Sequence, residues 1–101
     1  MADVEMLIPL GYEQKSYHGK AVDLRGFEWY GLRSYTTPIA WYKRNERGVL
    51  YVNASYRHSV TTAKHLKSWR ILHNITEAWA IYETKEIPDE IAELNEKNLG
   101  E

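Results

Sequence analysis

The apolar pattern of this chain changes period near residue 58, and that switch limits the folds open to it. Upstream, residues alternate as in a strand. Val49, Tyr51, Asn53 and Ser55 oppose Leu50, Val52, Ala54 and Tyr56, and one of these faces is the more apolar. Downstream, Ala63, Leu66, Trp69 and Leu72 recur at helical spacing, with Ile71 and Ile75 extending the stripe. Strands followed by helices predict an α+β domain. The expected architecture is an antiparallel sheet of about four to five strands, with a helix packed on one face and a short acidic C-terminal helix.

Turn chemistry divides the first half. His18-Gly19 separates strand-like residues 12–17 and 20–24 as a hairpin, and Arg25-Gly26 makes the next break. Residues 27–36 hold strand-favouring Phe27, Trp29, Tyr30, Leu32 and Tyr35. Pro38 has no N–H to give a ladder, so it marks a bulge, an edge or a strand start before residues 39–43. Arg44-Asn45-Glu46-Arg47-Gly48 is a polar hairpin connector. The first helix takes a hydroxyl cap from Ser59 or Thr61 and ends near His73-Asn74. Residues 76–83 fit a short helix or a final strand. Pro88 followed by Asp89 and Glu90 opens a last helix with Ile87, Ile91 and Leu94 on one face, closed by Gly100.

With 101 residues, 1–101 form a single domain, a strand-rich basic body plus helix over 15–75 and an acidic segment over 76–101. Cysteine is absent, which removes disulfides, thiolate metal sites and Cys nucleophiles. No apolar run reaches a membrane span and no signal-peptide pattern opens the chain, so the expectation is a cytoplasmic protein of the host cell with no membrane partner. The formal net charge of −1 conceals segregation. Residues 15–70 carry eleven Lys and Arg against three acids, whereas residues 71–101 carry two Lys against eight acids. Such asymmetry bears on partners rather than on fold.

Three segments carry a family resemblance. They are Ser16-Tyr17-His18-Gly19-Lys20-Ala21-Val22, then Leu32-Arg33-Ser34-Tyr35-Thr36-Thr37-Pro38-Ile39-Ala40, then residues 56–66 with Ser59-Val60-Thr61-Thr62-Ala63-Lys64-His65. In order and spacing they resemble a family of small uncharacterised proteins of bacteriophages and mobile elements. Its motifs are Gly-Lys-Ala, Ser-Tyr-x-Thr-x-(Val/Ile)-Ala and Ser-x-Thr-Thr-x-(Arg/Lys)-His. The resemblance spans about residues 15–70 and implies a phage or mobile-element origin and a strand-rich domain closed by a helix. It assigns no catalytic residue.

The residues advertise no enzyme. His18, His58, His65 and His73 lack metal-ligand spacing, and no nucleophile elbow, phosphate loop or carboxylate pair is visible. No cofactor and no metal are expected. Basic residues interleaved with aromatics point instead to a non-enzymatic binding protein that contacts single-stranded nucleic acid or a host nucleoprotein complex through a sheet face. Its candidate contacts are Arg33, Tyr35, Tyr42, Lys43, Arg44, Arg47, Tyr56, Arg57 and Lys64. Ser59, Thr61, Thr62 and His65 at a helix start form a candidate phosphate site. The commoner origin of that pattern is a hydroxyl cap with a His hydrogen-bonded to a strand carbonyl. An alternative is an inhibitor of a host defence system, of the anti-CRISPR kind, whose Glu83, Glu86, Asp89, Glu90 and Glu93 bind protein. A further alternative is a structural protein that forms a homodimer through an aromatic edge.

Overall fold

The computed structural model describes residues 21–55 and 60–99, without the side chains of 60, 61, 98 and 99. The elements run β1 (Ala21–Arg25), β2 (Trp29–Ser34), β3 (Thr37–Lys43), β4 (Val49–Asn53), α1 (Val60–Leu72), β5 (Ala80–Thr84) and α2 (Asp89–Leu99). Together they form an α+β fold around one five-stranded sheet, ordered β1-β2-β3-β4-β5. The first strand of the expected hairpin, its His18-Gly19 turn, the chain at 56–59 and Gly100 lie outside the described residues.

Strands β1 to β4 pair antiparallel, as tight turns between them require. Strand β5 makes the mostly antiparallel sheet mixed, because it pairs parallel to β4, with Val49 opposite Ala80 and Asn53 opposite Thr84. The intervening α1 returns the chain to the end where β4 began, so the next strand must run the same way. The ambiguous stretch 76–83 therefore resolves into a turn up to Trp79 and a strand from Ala80.

Pro38 marks a bulge. Leu32 faces Ala40 and Arg33 faces Pro38, which leaves Ile39 as the extra residue. A bulge turns two successive side chains toward one side, and both Ile39 and Ala40 belong to the same core cluster. Helix α1 ends as His73-Asn74 foretold. Asn74 takes a left-handed φ of 58°, its N–H donates to the Ile71 carbonyl, and the Ile75 N–H donates back to the Arg70 carbonyl. That double closure satisfies carbonyls that the last turn leaves unpaired.

The sheet is covered on both faces, which corrects the expectation of one covered face. On one side Ala21, Leu32, Ile39, Ala40, Tyr42 and Leu50 pack with Trp69 of α1 and with Ile75. On the other, Val22, Leu24 and Trp41 pack with Ile91 and Leu94 of α2, as the spacing of Ile87, Ile91 and Leu94 predicts for an amphipathic helix. Gly31 permits the close approach, since a Cβ there would lie 2.8 Å from Ile91 Cδ1.

Helix α1 keeps only part of the expected apolar stripe inward, Trp69 with Leu66 packed beside it and Ile75 just beyond, and turns polar side chains in next to them. Thr62, His65, Trp69 and, just beyond the helix, His73 are buried, whereas Ala63, Ile71 and Leu72 are exposed. Polar side chains can face the sheet because it supplies their partners.

Candidate nucleic-acid interface

Those partners form a connected interior network. Asp23 on β1 is 1% exposed, yet its Oδ1 accepts from Trp69 Nε1 at 2.9 Å and from His73 Nε2 at 2.8 Å. Its Oδ2 accepts from Arg25 Nε at 2.7 Å. A carboxylate only accepts, so His73 Nε2 donates to Asp23, while His73 Nδ1 and the Tyr42 hydroxyl share a hydrogen bond at 2.8 Å. Arg47 Nη1 then donates to that hydroxyl at 3.3 Å. Burial alone would raise the Asp23 pKa. The hydrogen bond and charge of His73, with bonds from Arg25 and Trp69, overcome that and hold it below the usual value. Burial raises the Tyr42 pKa against the opposing charge of Arg47.

This network fixes the base of a cationic rim where β1 ends, β2 begins, β3 ends and α1 finishes. Tyr30, on β2, pairs with Arg25 of β1 on one side and with Tyr42 of β3 on the other. Arg25 and Arg44 place their guanidinium groups 5.5 and 5.1 Å from the Tyr30 ring centre. Arg44 Nη1 also donates to the Phe27 carbonyl at 3.2 Å. Arg47 donates to the His73 carbonyl at 2.6 Å at the electronegative end of α1, and lies 5.1 Å from the Trp79 ring centre. Stacking on aromatic faces holds these cations in place while leaving Arg44 and Arg47 exposed.

Behind the rim, Glu90 of α2 holds the loop between β1 and β2. Its carboxylate accepts from the backbone N–H groups of Phe27, Glu28 and Trp29 at 2.7, 2.9 and 2.9 Å. Gly26 leaves room for it, since a Cβ there would lie 2.5 Å from the carboxyl carbon of Glu90. Nothing in the linear sequence signals this long-range anchor, because Glu90 reads there as an ordinary first-turn acid.

The structure brings together part of the expected interface. Arg44 and Arg47 meet on the rim, and Lys43 lies beside it, with Nζ 5.8 Å from the Trp29 ring centre. Lys64 is exposed on α1, three residues before exposed Lys67. Tyr35 is exposed but occupies the turn at the opposite end of β2, with a φ of 58°. Tyr56 and Arg57 lie outside the described residues. Two residues require correction. Tyr42 is 1% exposed, so no base can stack on it. Arg33 is 7% exposed on the side of the sheet opposite Ser34, and burial lowers its pKa. Both faces being covered, an open aromatic sheet surface does not form over β1 to β3.

The candidate phosphate site is corrected likewise. Thr62 and His65 are fully buried, with Ser34 Oγ 3.2 Å from Thr62 Oγ1 and 2.8 Å from His65 Nδ1. They bind the sheet rather than an external anion. Ser59 lies outside the described residues, and Thr61 falls in the first turn of α1. Among the acids, Glu83, Glu86, Asp89 and Glu93 are exposed, whereas Glu90 is committed to the loop.

No helix among the described residues is long and apolar enough to cross a membrane. The family of unknown function DUF8033 matches residues 6–87. No curated protein and no solved structure matches the chain.

Proposed function

Because the chain belongs to DUF8033, a family of unknown function, we propose its role from the rim itself. It is a non-enzymatic phage or mobile-element protein that grips the phosphate backbone of nucleic acid, free or within a nucleoprotein. The supporting observation is the placement of Arg25, Arg44 and Arg47 around Tyr30 and Trp79 at one end of the sheet. The rings that would stack bases, Tyr30 and Trp79, already face guanidinium groups, which favours phosphate contacts over base stacking. Arg44 uses Nη1 for its carbonyl bonds, so Nε and Nη2 have no partner among the described residues and can present a fork to phosphate. The origin rests on the sequence resemblance alone.

A titration of ¹⁵N-labelled protein with a DNA oligonucleotide tests the placement. Backbone shifts concentrated at Arg25, at residues 43–48 and at residues 73–79 are expected. Saturable shifts confined to other residues, or none, overturn it.

A second reading keeps the acidic segment as a protein-binding surface, as in an inhibitor of a host defence system. It is favoured by the exposure of Glu83, Glu86, Asp89 and Glu93 on consecutive elements, beside exposed Tyr82 on edge strand β5. Substituting those four acids removes inhibition while sparing nucleic-acid binding if this reading is right.

A further inference from the structure

A cavity of about 400 Å³ opens on the α2 side of the sheet, where residues 84–89, between β5 and α2, close over Trp29, Trp41 and Tyr51. That volume falls within the roughly 300–1,000 Å³ of pockets that hold small ligands. The sheet gives it aromatic walls. Trp41 of β3 lies opposite Tyr51 of β4, and Trp29 of β2 meets Tyr51 edge to face, with ring centres 5.9 Å apart and planes at 61°. Trp41 is 1% exposed and closes the floor, whereas Trp29 and Tyr51 are only partly buried and keep surface for a ligand.

The connection to α2 adds charge of one sign. Glu86 and Asp89 line the same cavity, and both are exposed at its mouth. The Glu86 N–H donates to Thr84 Oγ1 at 3.1 Å, which fixes the turn that carries Glu86. Aromatic faces are electronegative, and with two carboxylates beside them they attract a cation. Trp29 already shows that attraction, since Lys43 Nζ lies 5.8 Å from its ring centre. Lys43, however, lines the neighbouring cleft with Arg44, which leaves this cavity to another cation. Ring walls give N–H groups no strong acceptor, so a plain ammonium would lose its water without replacement. A trimethylammonium group carries the charge and has no N–H to satisfy.

We propose that Trp29, Trp41 and Tyr51, with Glu86 and Asp89, form a binding site for a trimethylammonium cation. The site is independent of the phosphate-gripping rim, whose ligands carry the opposite charge. It uses two acids of the protein-binding reading without depending on inhibition.

The test follows the Trp29 and Trp41 indole N–H resonances of ¹⁵N-labelled protein as choline or a capped trimethyllysine is added at constant ionic strength. Saturable shifts are expected, and the tighter binder tells a free cation from a methylated protein side chain. The neutral alcohol in which tert-butyl replaces the trimethylammonium group of choline should bind about tenfold more weakly, within the range that cation–π contact supplies. Glu86→Gln combined with Asp89→Asn should weaken choline severalfold and leave the neutral alcohol unchanged. Trp29→Leu should abolish choline binding, and Arg44→Ala should change neither. Oligonucleotide binding reads the rim separately, so its failure leaves the choline result standing. No saturable shift with either cation overturns the proposal, and so does equal affinity for the neutral alcohol. Should Trp29→Leu fail to fold, the neutral alcohol and the two exposed acids decide.

Discussion

The two faces of the sheet are built on different chemistry. Under α2, contact is mainly apolar, with Val22, Leu24, Trp41, Ile91 and Leu94 in one cluster and Gly31 close to Ile91, although Arg33 is buried on the same face. Under α1, the same sheet presents Asp23, Ser34 and Tyr42 to Thr62, His65, Trp69 and His73. Apolar burial is nondirectional and indifferent to pH, whereas hydrogen bonds to a buried carboxylate fix geometry and fail when it is protonated. The α1 face thus holds the rim rigidly, since Arg25 and Arg47 hang from opposite ends of the Asp23–His73–Tyr42 chain.

The contrast can be broken most strongly on the apolar side. Trp41→Ala should cost about 3–5 kcal/mol, equally at pH 7 and pH 4, in denaturant titrations. Asp23→Asn comes next, at about 2–3 kcal/mol at pH 7, because it weakens charge-assisted bonds inside the fold. Here the sign of the pH effect is definite. The folded pKa of Asp23 lies below its ordinary 3.8, so its contribution is complete above that value and is lost as pH falls through the folded value. The gap between wild type and Asp23→Asn should therefore close on acidification below about pH 4, measured as thermal midpoints. A gap that persists in acid would deny the carboxylate its role.

Smaller effects sharpen the comparison. Glu90→Ala frees the Phe27, Glu28 and Trp29 amides, and about 1–2 kcal/mol of stability should go with them. Amide hydrogen exchange should accelerate at those residues first. Arg44→Ala touches neither core, and its stability should stay within about 0.5 kcal/mol of wild type.

Much of this was legible in the chain. Pro38 signalled a bulge, an edge or a strand start, of which the bulge formed; Asn74 marked the end of α1, and Ile87, Ile91 and Leu94 the apolar stripe of α2. Each is a local signal whose physics needs no distant partner. Helix α1 was legible in part: hydrophobic spacing placed Leu66, Trp69 and Ile75 correctly but also favoured exposed Ala63, Ile71 and Leu72, while Thr62, His65 and His73 are inside only by virtue of Ser34, Tyr42 and Asp23 across the seam. The same blindness hid Glu90, whose three amide partners are 61–63 residues away. Charge pattern located Arg44 and Arg47 correctly at an exposed loop. It could not tell that Arg33, on a strand between two covered faces, would be buried.

The rim is tested most directly by fluorescence anisotropy of labelled single- and double-stranded oligonucleotides, titrated with wild type and Arg44→Glu at low and physiological salt. Binding should weaken steeply with salt, differ little between the two strand forms, and be lost in Arg44→Glu. No binding at low salt, or unchanged binding by Arg44→Glu, would contradict a phosphate-gripping rim.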